Sequence, residues 1–568
     1  MQLARRVGNN RFNHSEPMGK HVMPSTSLPE TQYAVQLVGP SELRLNTSKV
    51  IPQPGPFEIL VKVEAVGLCF SDLKLLKQFH QHVRKSEVVE GMDRAVLEQA
   101  RNYVPQNQPT VPGHEVVGRI VAVGDQVKQH RVGERCLVQA DYRQLPTAGG
   151  SNAAFGYNFE GGLQEYVLFD ERVVVAPDGD RFLIPVGDEK GASALALVEP
   201  WACVEASFVT RERTTIKVGG RLLVVADDPQ HLPSLTGCYA PQGPPAEIRT
   251  VASDQVGPLP NEGFDDIVYY GADKATIEQL NDKLANGGIL NIVLGGQRIG
   301  QPVSVGVGRV HYGMTRWIGT IGHDPAESYQ VIPADGEVRD GDRVLVVGAG
   351  GPMGQMQVIR IVCLGKSGLQ VVGTDFEDAR LDSLLCKADP MAKANGVALR
   401  LVNPQHTPLE GSFTYFVLMA PIGALVADAI QQADDRAIIN IFAGIPATVR
   451  HDLDLDRYIE KRGFLFGTSG STIEDMRIVL RKVEADRLDT NASVDAISGM
   501  AGAIEGIAAV EHRTLAGKII VYPMLHDIGL IPLTQLDRHF PSVAAKLEHG
   551  KWTPEAEREL LRVAGGGE

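Results

Sequence analysis

The sequence is poor in cysteine, has no long apolar run and is short of positive charge. Its six cysteines (Cys69, Cys136, Cys203, Cys238, Cys363 and Cys386) stand far apart among 568 residues, with no C-x-x-C pair. That spacing argues against a disulfide framework and a cysteine-cluster structural zinc, and makes the cytoplasm the natural compartment. No uninterrupted apolar stretch of about 18 residues occurs, so no segment is expected to span a membrane. Lys and Arg number 55 against 69 Asp and Glu, a formal net charge of −14. Nucleic acid and anionic membranes must be met by a basic face, and this balance argues against both as partners. Residues 1–30 contain no apolar core of a secretion signal and read as a flexible tail.

What is present suggests several domains, at ~150 residues per domain. Residues 31–210 read as β-rich, with short strands such as "EILVKVEAVG", "EVVGRIVAVG" and "ERCLVQA" set off by Gly, Pro and Asp. From 211 to 485 strands and helices alternate, the pattern of parallel α/β sheets. Here the chain repeats itself: 218–228 is similar to 339–349, 263–296 to 411–444, and 316–329 to 463–476. The shared order predicts two tandem Rossmann-like units, 211–333 and 334–485. Residues 486–525 then give a helix and a strand, and 526–568 read as a helical tail. In that tail, Thr553, Pro554 and Glu555 form a helix-start pattern.

The second unit holds "RVLVVGAGGPMG" (343–354), a buried strand running into a glycine-rich turn. The motif reads either as Gly348-x-Gly350-x-x-x-Gly354 or as Ala349-x-Gly351-x-x-Gly354. Such a turn lets a pyrophosphate sit on the N-terminus of the following helix, with Pro352 and Met353 opening it. Asp375 ends the next strand, where a carboxylate binds adenosine ribose hydroxyls and repels a 2′-phosphate; this favours NAD over NADP. The first unit has "VVADDPQHLP" (224–233) instead, without glycines, and Asp227 and Asp228 would oppose a pyrophosphate. It is expected to be silent toward nucleotides.

In the β-rich region "GLCFSD" carries Cys69, "PGHE" carries His114 and Glu115, and "VEP" carries Glu199. Thiolate, imidazole and carboxylate form a candidate catalytic zinc set. Asp72 can accept the free N–H of His114, and Ser71 can relay a proton.

These motifs, with "GRIVAVGDQV", "GERC", "GGLQEYV" and "LVEPWACVEAS", occur in the order of the zinc-dependent medium-chain dehydrogenase/reductase family. The chain resembles its polyol branch, of the sorbitol dehydrogenase and sorbose-1-phosphate reductase types, over about 32–210 and 334–523. The resemblance implies a GroES-like catalytic domain (31–210, completed by 486–525) beside an NAD-binding Rossmann domain (334–485). It implies one catalytic Zn²⁺ held by Cys69, His114 and Glu115 or Glu199, whether directly or through water. Ser71 is then the proton relay, Asp72 the acid behind His114, and Arg513 a late basic residue near the cofactor. The implied reaction is hydride transfer between NAD(H) and a secondary alcohol or ketone, such as a polyol or sugar phosphate. A homodimer or homotetramer is expected. A zinc-free quinone-reductase-like enzyme and a non-catalytic NAD-binding scaffold are the alternatives. Two departures stand out. The four-cysteine lobe is missing, so no structural zinc is expected, and residues 78–108 form an insertion, expected to be helical, near the mouth of the site.

Overall fold

The computed structural model describes residues 28–227 and 232–565. The 1–30 tail, all but its last three residues, and Asp228 lie outside the described residues. All six cysteines are free.

The β-rich region forms an eight-stranded sheet around Glu58–Gly67, a strand whose residues are mostly buried. It pairs antiparallel with Glu115–Val123, Tyr166–Asp170 and Lys518–Val521. Arg135–Val138 and Leu183–Pro185 extend one side; Val494–Ser498 and Ile531–Pro532 extend the other. The chain therefore leaves this domain and returns to complete it. Ile531–Pro532 lies within the expected 526–568 tail, so that segment is partly built into the sheet. Beyond it, Thr553 caps the Pro554–Ala564 helix, its Oγ1 accepting the Ala556 N–H at 3.0 Å. Glu557 of that helix accepts the Ser193 N–H (2.8 Å) and the Tyr522 hydroxyl (2.9 Å).

The insertion is less helical than expected. It holds one short helix, Arg94–Gln99, and two 3₁₀ turns, Phe79–Gln81 and Val83–Lys85, because Gly91 (φ 84°) and Pro105 interrupt any longer run. The Ala192–Val209 stretch is apolar enough to cross a bilayer by composition, but 89% of it is buried within the protein. It is a core helical element. Trp201, on this stretch, is 1% exposed and donates from Nε1 to Thr490 O at 3.3 Å, so it packs the interior.

The two α/β units are both present. The second has six parallel strands in the order Ala398–Val402, Gln370–Thr374, Arg343–Val347, Phe413–Leu418, Ala433–Ile441, Phe464–Phe466. This is the doubly wound order in which ligands bind beyond the carboxyl ends of the strands. The first unit keeps five: Glu247–Val251, Arg221–Ala226, Phe264–Tyr270, Leu284–Val293 and Arg316–Thr320. Strand pairing matches Phe264 with Phe413 and Asn291 with Asn440. That is one residue off the gapless sequence match of 263–296 with 411–444. At the last strands Ile318 stands level with Phe466, one residue off the match of 316–329 with 463–476, and the intervening loop is one residue shorter in the second unit.

The units face each other about an approximate two-fold axis. Val303–Val305 pairs antiparallel with His451–Leu453, with Ser304 opposite Asp452. The backbone at Gly319 lies against Ile459, and that at Gly467 lies against His311. These are equivalent contacts seen from the two sides. One apolar cluster, including Leu223, Ile292, Val303, Leu345, Ile439 and Ile459, runs through both units. Each such buried aliphatic side chain contributes roughly 1.5–3 kcal/mol relative to exposure, so the interface is part of the core.

Candidate active site

The site forms where strands of the large sheet end. Gly67 and Glu115 pair across the sheet, and Lys518 begins the strand on the other side of Glu58–Gly67. Cys69 follows at the N-cap of the Phe70–Gln78 helix, in an extended conformation. Asp72, in that helix's first turn, has two tasks: its Oδ2 accepts the Cys69 N–H at 3.1 Å, and its Oδ1 lies 3.0 Å from His114 Nδ1. His114 Nε2 is left facing Ser71 Oγ at 3.2 Å, and the same hydroxyl lies 3.1 Å from Cys69 Sγ.

One potential ligand atom each from Cys69, His114 and Glu115 lies within 4.8 Å of the others. Glu115 is fully buried, and its Oε1 accepts from Lys518 Nζ at 2.5 Å. Its Oε2 has no hydrogen-bond partner. A buried carboxylate oxygen without a donor is costly, and a cation would satisfy it. Burial opposes charge on His114, yet the Asp72 carboxylate and the Cys69 sulfur hold its pKa well above the ordinary value. The pocket thus attracts positive charge. Thiolate, imidazole and carboxylate, with Nδ1 already engaged by an acid, fit a zinc ion.

Glu199 lies outside this three-residue group. It sits in the first turn of the Val198–Val209 helix, and burial pushes its pKa up to about 7; Glu115 pushes the same way, while His114 and Lys518 oppose. Cys203, one turn on, places Sγ 3.9 Å from Glu199 Oε1. Lys518 is the functional group that sequence reasoning missed. Burial works against its charge, but Glu115 keeps its pKa above the usual lysine value. A lysine opening an apolar strand was its only signal.

In the second unit the glycine turn leads into the Pro352–Cys363 helix, with Gly351 at the N-cap and Pro352 in the first turn. Gly348 has φ 83°, and a Cβ on Gly354 would stand 2.2 Å from Gly348 O, so only glycine allows this approach. Asp375 Oδ2 accepts the Gly350 N–H at 3.0 Å, which puts the carboxylate at the turn. The turn and carboxylate fit a dinucleotide. Arg513 caps a helix in the left-handed region, and its carbonyl accepts from Arg380 Nη2 at 2.5 Å. Arg380, whose Cβ is next to Gly350, is the basic residue nearer the turn.

In the first unit the carboxylate has changed sides. Asp227 Oδ1, at the turn, accepts the Ser253 N–H at 3.1 Å. Among the described residues, only the 3₁₀ turn Thr236–Cys238 lies between the first two strands, so no helix N-terminus awaits a phosphate.

Comparison with known proteins agrees with this geometry. Residues 55–178 match the alcohol dehydrogenase GroES-like domain. The chain is 25% identical over 373 residues to mannitol-1-phosphate 5-dehydrogenase of Aliivibrio fischeri, covering 56% of this chain and 80% of that protein. It is 27% identical over 342 residues to L-sorbose 1-phosphate reductase of Klebsiella pneumoniae, covering 52% and 76%. It is 34% identical over 101 residues to sorbitol dehydrogenase of Bos taurus, covering 18% and 22%. The structure of 2R,3R-butanediol dehydrogenase from Bacillus subtilis shares the fold, with TM-score 0.50 at 15% identity, covering 87% of this chain and 100% of that one. Domain, fold and relatives define an oxidoreductase of the alcohol and polyol dehydrogenase class. More narrowly, they support a medium-chain dehydrogenase/reductase.

Proposed function

We propose that the protein is a zinc-dependent, NAD-linked dehydrogenase of secondary alcohols, with polyols and sugar phosphates as the substrate class. The observation that carries this is the convergence of Cys69, His114 and Glu115 on one spot, with a buried Glu115 oxygen left unpartnered. Bound zinc supplies the Lewis acidity that acidifies a hydroxyl or polarises a ketone, and bound NAD accepts or returns hydride.

The chain's own groups do the rest. Asp72 holds the Nδ1 proton of His114 and turns Nε2 toward the ion site. Ser71, adjoining Cys69 and His114, takes the proton leaving a substrate hydroxyl. Lys518 offsets the charge of Glu115. The Gly348–Gly354 turn receives the pyrophosphate, and Asp375 binds the ribose and disfavours NADP. Glu199, which is buried, serves as a fourth, exchangeable donor. A homodimer or homotetramer must pair through surfaces other than the Arg316–Thr320 and Phe464–Phe466 edges, which face each other within the chain.

Metal analysis and NAD reduction over a panel of polyols, sugar phosphates and simple alcohols test this reading. One zinc per chain and chelator-sensitive NAD reduction are expected. Cys69→Ser should lower both zinc content and turnover. A metal-free protein that turns over any of these alcohols at full rate would overturn the zinc assignment.

A further inference from the structure

The insertion that separates Cys69 from His114 brings an arginine close to the site. We infer that Arg84, together with Arg143, binds a phosphate group on the substrate, so that the preferred substrates are phosphorylated polyols and ketoses. The inference rests on the dehydrogenase reading and deepens it.

Arg84 lies in the Val83–Lys85 turn, and that turn is firmly seated. Thr147 Oγ1 donates to Val83 O at 2.9 Å, and the Arg84 N–H donates to His82 Nδ1 at 3.2 Å. The next residue, Lys85, is fully buried, with its ammonium on Val104 O. The backbone under Arg84 is thus fixed before any ligand arrives, which lowers the entropic cost of binding one.

Distances connect Arg84 to the metal ligands. Its Cζ stands 5.8 Å over the centre of the Tyr157 ring. The same ring lies 6.0 Å from the His114 ring, centre to centre. The backbone beside Tyr157 also packs on this histidine, since a Cβ on Gly156 would lie 3.3 Å from His114 Cβ. One buried ring therefore separates the guanidinium from His114, a spacing that the carbon chain of a polyol can span.

The second arginine reaches the cofactor side. Arg143, on the Asp141–Pro146 strand, donates from Nη2 to Ser471 O at 3.1 Å and to Ser469 O at 3.3 Å. Those serines follow the Phe464–Phe466 strand, at the carboxyl edge of the nucleotide-binding sheet, so Arg143 bridges the catalytic domain and that sheet. Asp141 ties the two arginines together. Its Oδ1 lies 3.3 Å from Arg84 Nη1, and its Oδ2 accepts from Arg143 Nε at 3.1 Å. Neither guanidinium has a second acidic partner among the described residues. One carboxylate cannot neutralise two guanidiniums, so the cluster keeps a positive charge in a chain whose net charge is −14. Both side chains also stay open to solvent, at 28% and 42% exposure. Two forked donors around a surplus positive charge suit a phosphate monoester, which a neutral polyol lacks.

The test measures kcat/KM with NAD for matched polyols with and without a terminal phosphate monoester. The wild type is compared with Arg84→Gln, Arg84→Lys and Arg143→Gln. Arg94→Ala is the control: it lies on the same insertion, exposed and paired with Glu98 at 3.0 Å. The wild type should favour the phosphorylated member of each pair. Arg84→Gln should lower kcat/KM for phosphorylated substrates by roughly 10- to 100-fold and leave their unphosphorylated partners within about twofold. Arg84→Lys should restore part of the loss, Arg143→Gln should act in the same direction, and Arg94→Ala should change neither rate. Inorganic phosphate should compete with phosphorylated substrates in the wild type and lose this effect in Arg84→Gln. If the wild type oxidises polyols without preferring phosphorylated ones, or if Arg84→Gln lowers both members of each pair equally, this inference fails alone. If the wild type neither binds NADH nor oxidises any alcohol, the dehydrogenase reading itself fails.

Discussion

The two α/β units differ less in their cores than at one strand-to-helix turn. Both bury apolar parallel strands, both carry a buried Asn at the same register (Asn291 and Asn440), and both feed one shared cluster. The second unit adds a glycine turn, a helix beginning at Pro352 and a carboxylate on the neighbouring strand. The first has an aspartate in the turn and, among the described residues, only a 3₁₀ turn before its next strand. A packed sheet is thus compatible with either turn.

That contrast can be broken most severely at Gly354. Gly354→Val would drive a side chain into Gly348 O, and NAD affinity should fall at least roughly 100-fold, about 2.8 kcal/mol, by titration calorimetry. Asp227→Gly in the first unit should create no second NAD site, because the sequence there lacks the glycine motif and, among the described residues, no α-helix precedes the next strand. A stoichiometry of two would refute the account of the silent unit.

The bond between units is next. Tyr458 OH donates to Trp317 O of the first unit at 2.7 Å and accepts the Leu465 N–H at 2.9 Å. Tyr458→Phe leaves both groups buried and unpaired, and should cost about 1–3 kcal/mol in urea unfolding. No loss would mean that the interface contributes little to folding.

Asp375→Ala should weaken NAD about tenfold, about 1.4 kcal/mol, and narrow its advantage over NADP. Equal loss for both cofactors would remove the ribose role.

The smallest effect concerns Asp266, buried in the first unit beside Arg213 (Nη1–Oδ1 2.8 Å). Burial raises its pKa from 3.8 to about 6, against the pull of Arg213. The folded state therefore holds this proton more tightly than the unfolded chain between about pH 4 and 6. Its contribution to stability falls as pH rises through that window and is level above it. Relative to Asp266→Asn, the wild type should lose stability between pH 4 and 6, measured by urea unfolding. A pH-independent difference would contradict the assignment.

Much of this was legible in the chain. The repeat, the glycine turn and the loss of glycines in the first unit could all be read directly, because strand-helix alternation and turn chemistry are local. Cys69, His114 and Glu115 could be named, but their convergence depends on strand pairing that no local pattern reveals. Lys518 was hidden for the same reason: it meets Glu115 across 403 residues. The place of Trp201 is likewise set at long range, by its indole's bond to Thr490 O.

The ladder of Val303–Val305 on His451–Leu453 has a consequence for how such a molecule can change. A symmetric pair of separate chains must use one patch twice, so every substitution falls on both sides of the axis. Here the halves share a single chain. His311 can lie against Gly467 while Ile459 lies against Gly319, each side chosen independently. Fusion keeps one half permanently at the other's side, at a local concentration that dilution cannot reduce.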